Sequence, residues 1–179
     1  MNSLWAGLVQ DISWGYRQWV VNAVAGSRLT PRLVRHAIYR AMGLQVRALS
    51  VSAGVTITGG ANLCIGPRTF VNHGVYFEAA GGITVGRDCA FGPESMVLTN
   101  THEITGTGWN REPAQLPVTI GDGCWVGARA VVLPGARIVD NCIIAAGAVV
   151  TQDCPEPGIW GGIPARLLRS FLPAVDLTP

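Results

Sequence analysis

Charge is scarce in this chain. Only 13% of its 179 residues are charged and the net charge is +2, too little for an electrostatic footprint on nucleic acid. It has no basic stripe, no DNA- or RNA-binding signature and no acidic tail. Long apolar runs are missing too. The longest fall far short of the roughly 18 residues that suggest a membrane span. Trp5, Trp14 and Trp19 crowd the first 25 residues, but Asp11 and Arg17 interrupt them. No basic segment precedes an apolar core there, so no secretory signal is expected. Cysteines number five, Cys64, Cys89, Cys124, Cys142 and Cys154. The count is odd and no CxxC occurs, which argues against a zinc or redox motif. Reduced thiols in a cytoplasmic protein are the expectation.

What is present is a beat. With 49% hydrophobic residues the chain can bury a sizeable core, and its length suggests one domain. Val51, Ile57, Ile65, Val71, Phe77, Val85, Phe91 and Val97 recur mostly six apart. Ile120, Val126, Val132, Ile138, Ile144 and Val150 continue the series, for 14 apolar anchors. Two steps carry two extra residues, within TGGANLC and EAAGGIT, where glycines can absorb a bulge. A helix would repeat at 3.6 and a strand at 2. A six-residue period instead fits short strands joined by tight turns, the pattern of a parallel β-helix. Three hexads then make one triangular coil, and successive coils stack about 4.8 Å apart. Residues two before an anchor are small, among them Ala130, Ala136 and Ala148. Cys89, Cys124 and Cys142 share that position and are expected to form a buried ladder.

The step from Val97 to Ile120 is the exception. It is 23 residues long, 17 more than the beat requires. This polar stretch, VLTNTHEITGTGWNREPAQLPVTIGDG, holds His102. Long insertions in compact repeats are often functional.

The ends do not keep the beat. Residues 1–50 are read as a helical cap, 51–152 as the β-helix with a catalytic loop at 98–119, and 153–179 as a loop with a short helix. Leu8, Ile12, Trp19 and Val20 recur at helical spacing, with Ser3 as a candidate start and Gly26 as a stop. A second helix is expected from Thr30 as N-cap and Pro31 as first residue to about Met42, with Gly43 behind it. These helices either cap the open edge of the coil or, being rich in tryptophan and arginine, touch a membrane surface. At the other end, PARLLRSF is expected to form a short helix begun by Pro164. That would put Arg166 and Arg169 on one side.

The hexads, with TIGDGCWVGARAVVLPG, AAGAVVTQD and GGIPARLLR, resemble the hexapeptide-repeat acyltransferases, above all the maltose and galactoside O-acetyltransferases and those of polysaccharide biosynthesis. The likeness runs from residue 51 to about 170. It implies an all-β solenoid, a left-handed parallel β-helix, with N-terminal helices and a short C-terminal helix. It implies a homotrimer that uses acetyl-CoA as donor, needs no metal, and acetylates a small-molecule or saccharide acceptor. Residue by residue, His102 falls at the family's general base and Asn72 at its acceptor-binding asparagine. Gly127 or Ala128 offers a backbone N–H to the thioester. Ala146 lines the pantetheine arm, Thr151 touches CoA, and Arg166 and Arg169 lie near its phosphates. Glu103 and Trp109, in the loop with His102, are candidate acceptor contacts. Glu103 stands where proline is frequent, and Gln152 where lysine is common, so a less charged phosphate site is expected.

Such a site has a definite chemistry. A free hydroxyl is a poor nucleophile, and removing its proton during attack is worth roughly 10²–10⁴ in rate. Histidine suits that task near neutrality. No residue need be acetylated, so direct transfer in a ternary complex is expected. Other readings stay open. Taken without the resemblance, His102 and His73 are solvated loop residues, Asn72 a turn residue in left-handed geometry, Trp125 a packing residue, and the two arginines plain surface charge. The acceptor could be an antibiotic, an amino-sugar nitrogen or serine. A zinc hydratase on the same prism needs three converging histidines, and His36 lies outside the coil. A non-catalytic trimeric scaffold is the remaining alternative.

Overall fold

The computed structural model describes residues 2–171 and shows a triangular prism of parallel coils capped by helices. All 14 anchors point inward and none is more than 4% exposed. The first face stacks Gln45–Val46, Leu63–Ile65, Ile83–Val85, Val118–Ile120 and Arg137–Ile138. The second stacks Ser50–Val51, Phe70–Val71, Ala90–Phe91, Trp125–Val126, Ile143–Ile144 and Gly158–Gly161. The third stacks Thr56–Thr58, Tyr76–Glu78, Met96–Leu98, Val131–Val132 and Val149–Val150. Register follows the count: Val51 pairs Val71 and Val71 pairs Phe91, while Val126 pairs Ile144. The extra pairs of residues sit in the corners between third and first faces, where Gly59, Gly60 and Gly82 have positive φ, and leave the strands undisturbed. The coil begins at Gln45, earlier than the expected residue 51.

Turns fix a second rule. The third residue after most anchors is left-handed, even where it is not glycine: Arg68, Asp88, Glu94, Arg129 and Asn141 have φ of 57–59°. Exposed ion pairs stack on these turns, Arg68–Asp88 at 2.6 Å and Arg129–Glu94 at 2.7 Å, and add little stability individually. Inside, Cys89 and Cys124 donate to the carbonyls of Gly121 and Val139, both at 3.1 Å, and Cys142 to that of Glu156 at 3.4 Å. The expected ladder is present and all five cysteines are free.

Helix α1 spans Asn2–Trp19, a π-helical turn follows at Val20–Ala25, and α2 spans Arg32–Ala41. The side chain of Ser3 lies outside the described residues. Pro31, not Thr30, is the N-cap of α2; the Thr30 hydroxyl turns back to donate to the Val24 carbonyl at 2.6 Å. The cap ties down the first coil with side chains. The Asn22 amide completes the edge of Thr56–Thr58 like a missing strand: Ile57 N–H donates to it at 2.8 Å, and it donates to the Ile57 carbonyl at 2.9 Å. Arg35 is 4% exposed and donates to the carbonyls of Ala25, Val51, Ser27 and Thr30 at 2.6–3.0 Å.

At the C-terminal end the expected helix does not form. Gly158–Gly161 adds a strand to the second face, and Arg166–Ser170 folds back antiparallel on it. The open edge of that face offers backbone partners that a helix would leave unmet. Arg166 pairs Gly161 and Arg169 pairs Ile159 across a register shift. Those partners are two apart, so both arginines still share a side, for a reason other than helical spacing.

Candidate functional site

The interruption is an ordered hairpin. Asn100–Thr105 pairs antiparallel with Gly108–Gln115, and the hairpin leaves the corner between third and first faces. Its base is fixed by Glu78, which the sequence reading did not single out. One carboxylate oxygen accepts from the N–H groups of Thr99 and Asn100 at 2.9 and 2.7 Å, and from the Thr99 hydroxyl at 3.1 Å. The other accepts from the Ala80 N–H at 3.1 Å and the Asn100 amide at 3.0 Å. Burial pushes this carboxyl up, but the donors outweigh it and hold the group below its ordinary range. Gly81 is needed beside it, since a Cβ there would come within 3.0 Å of Leu116 N and of the Thr99 side chain.

His102 sits on this hairpin, exposed, with its ring 4.7 Å from that of Trp109 in an edge-on arrangement. Its Nδ1 lies 2.9 Å from the Asn110 carbonyl. A carbonyl only accepts, so Nδ1 carries a proton, and in the neutral ring Nε2 keeps its lone pair. That is the tautomer a base needs. Glu103 falls at the hairpin's register shift and is exposed.

A second group gathers at the corner between second and third faces. Pro93, Glu94, Ala128, Arg129, Ala146 and Gly147 line a shallow groove there. The Gly127 N–H is spent inside the coil, donating to the Ile144 carbonyl at 2.7 Å. The corresponding N–H groups at another corner, Arg87 and Asp122, are covered by the carboxylates of Asp122 and Asp140 at 3.0 and 2.8 Å. Ala128 has no such cover, and its N–H makes no hydrogen bond among the described residues. Of the two donors expected, Ala128 is therefore the one available. Asn72 lies at the same corner, beneath Gly92 and Gly127. It is not left-handed; Gly74 takes that role. Its Oδ1 accepts from the His73 N–H at 2.9 Å. Arg129, on the groove rim, escaped the sequence reading; its signal is an arginine at the third position after an anchor.

Within one chain the two groups stay apart. His102, Glu103 and Trp109 leave one end of the third face, with Thr151 at the same corner; Asn72, Ala128 and Ala146 lie at the other end. Arg166 and Arg169 stand on the strand that closes the second face. His36 in α2, His73 at a corner and His102 in the hairpin share no element, and among the described residues no group of three or more His, Cys, Asp or Glu could hold a metal ion.

The outward columns differ by face. The first shows Gln45, Cys64, Thr84, Thr119 and Arg137. The second shows Ser50, Phe70, Ala90, Trp125, Ile143 and Ile159, and the third Thr56, Tyr76, Met96, Val131 and Val149, with Thr58, Glu78 and Leu98 two residues on in the longer strands. Two faces of the prism are thus largely apolar outside as well as inside, with polar residues confined to their earliest coils.

A family model described as the hexapeptide repeat of succinyl-transferase matches residues 117–152. The galactoside O-acetyltransferase of Escherichia coli (strain K12) is 30% identical over 122 residues, covering 68% of this chain and 60% of that protein. A maltose O-acetyltransferase from Clostridium difficile 630 superposes with a TM-score of 0.78 at 25% identity, over 89% of this chain and 87% of that one. A hexapeptide-repeat-containing acetyltransferase from Vibrio cholerae O1 biovar eltor, in complex with acetyl coenzyme A, gives 0.77 at 28% identity over 89% and 85%. The chain spans 55–62% of the length of the curated relatives it matches. Repeat, sequence and fold agree with the resemblance read from the hexads: this chain is a hexapeptide-repeat β-helix protein, similar to the galactoside and maltose O-acetyltransferases.

Proposed function

We propose that the chain is an acetyl-CoA-dependent O-acetyltransferase acting on a hydroxyl of a sugar or sugar-containing acceptor. The observation that carries this is His102, held by the Asn110 carbonyl so that Nε2 is free on a hairpin that serves no part of the coil's own packing. Acetyl-CoA supplies an activated acyl group. The groove fits such a donor because Ala128, Ala146 and Gly147 keep part of its lining small and the Ala128 N–H opens beside it. Nε2 of His102 takes the acceptor's proton as the hydroxyl oxygen attacks the thioester carbonyl. The Ala128 N–H faces the negative charge that develops on the carbonyl oxygen. The imidazolium then returns its proton to the departing thiolate sulfur. Arg166 and Arg169 pair with phosphate.

The site is completed in a homotrimer. The base and the groove belong to opposite ends of one face, and two largely apolar outer faces favour burial against neighbouring chains. His102 of one chain then meets the groove of the next. The galactoside and maltose enzymes named above support a saccharide acceptor. The test is thiol release from acetyl-CoA against a panel of hydroxyl acceptors. His102→Ala is expected to lower kcat by roughly 10²–10⁴ with CoA binding and trimer intact. Near-normal turnover in that variant would refute the role, and loss of the trimer would make the histidine structural.

A further inference from the structure

Helix α1 has an apolar face that nothing in the described chain covers. At 100° per residue, Trp5, Leu8, Val9, Ile12, Tyr16 and Trp19 fall within an arc of about 100°. Each is 48–65% exposed. The helix packs chiefly on the π-helical turn that follows it, so the coil does not bury this face. A contiguous apolar patch rimmed by polar residues marks an interaction site.

Charge says what the partner is. Residues 1–50 hold six arginines against one acid, Asp11, a net of +5; the remainder holds seven arginines against ten acids, a net of −3. Arg35 is consumed in the cap. Arg28, Arg32 and Arg40 are exposed and form no ion pair among the described residues. Leu29 and Leu33, 93% and 72% exposed, stand next to two of them. Pairing two copies through this segment would bring together two stretches of net charge +5, and like charges oppose such contacts. An anionic surface favours both features at once. Tryptophan and tyrosine also suit the boundary between headgroups and acyl chains. No helix of the described residues is long and apolar enough to cross a membrane, so the helix would lie in the plane.

We propose that α1 is an interfacial anchor: its Trp5–Trp19 face inserts at the surface of an anionic bilayer while Arg28, Arg32 and Arg40 pair with lipid phosphates. The full chain is tested by co-sedimentation with vesicles of phosphatidylglycerol and phosphatidylcholine, and with phosphatidylcholine alone. Binding is expected to be at least about tenfold tighter to the anionic vesicles and weakened by salt. Ile12→Glu, on an exposed position, is expected to fold normally by circular dichroism and lose roughly tenfold or more in vesicle binding. Arg28→Gln with Arg32→Gln should lose roughly fivefold per arginine on anionic vesicles only. Absence of binding to either vesicle overturns the proposal, as does equal binding by Ile12→Glu. A change of oligomer size in Ile12→Glu without vesicle binding by the unaltered chain assigns the face to contacts between copies. Binding is read without turnover, so this test stands apart from that of the acetyl-transfer reading.

Discussion

Replacing Glu78 by glutamine changes one carboxylate oxygen into an amide nitrogen and leaves the shape intact. In the structure five donors converge on that carboxylate, three on one oxygen and two on the other. A glutamine amide can satisfy one group. Its NH₂ must then face donors on the opposite side, the Ala80 N–H and the Asn100 amide in the milder arrangement. Hydrogen bonds to a charged partner are worth about 1.5–3 kcal/mol, and a donor left unpaired costs about as much. Glu78 is only half-buried and water relieves part of this, so local destabilisation of about 2 kcal/mol is the expectation. The effect should appear as opening of the hairpin base rather than global unfolding. Amide exchange of Thr99 and Asn100 would accelerate roughly 30-fold. A base displaced by about 1 Å loses on the order of 10²-fold, so kcat should fall 10- to 100-fold with KM for acetyl-CoA unchanged. The depressed carboxyl adds a pH signature: it stabilises the hairpin above the ordinary carboxylate range, and that stabilisation disappears as pH falls through the folded value, which lies below that range. Unchanged exchange at Thr99 and Asn100, or more than half the native kcat in Glu78→Gln, would refute this role.

Two other outcomes follow from the cap. Arg35→Ala leaves four carbonyls without their buried donor and is expected to lower unfolding free energy by about 3–5 kcal/mol in urea titrations. Burial pushes the Tyr39 phenol up to about 12 from 10.0; the hydrogen bond with Cys142 raises the Cys124 thiol to about 11, and burial, with the Asp153 charge beside it, raises that of Cys154 to about 12. The folded state holds these protons longer, so stability is full below about pH 9 and falls between pH 9 and 12. Tyr39→Phe, which removes a hydroxyl that has no hydrogen-bond partner among the described residues, should flatten the part above pH 10.

The coil was legible because its period is set by geometry: a side chain that must point inward every sixth residue leaves a mark that no helix or ordinary strand makes. Val51 through Val150 are placed correctly for that reason, and the cysteine ladder follows from the same count. His102 was legible as an interruption. What escaped depends on contacts between distant residues. Glu78 reads as a strand residue until Thr99 and Asn100 come beside it, and Asn22 reads as a helical polar residue until its amide meets Ile57. The terminal PARLLRSF has helical composition, yet an open sheet edge in the folded chain outweighs that propensity. Ala128 was ambiguous with Gly127 because only the fold shows which N–H is already in use.

The central claim is that each site joins the histidine of one chain to the groove of another. Trimers assembled from equal amounts of His102→Ala and Ala128→Trp chains test it directly. Each parent alone should be nearly inactive, the first without its base and the second with its groove filled. If sites are shared, random mixing gives each interface about one chance in four of pairing an intact histidine with an intact groove, so about a quarter of native turnover returns. Mixed trimers no more active than either parent would show that base and groove act within one chain, and would contradict the account.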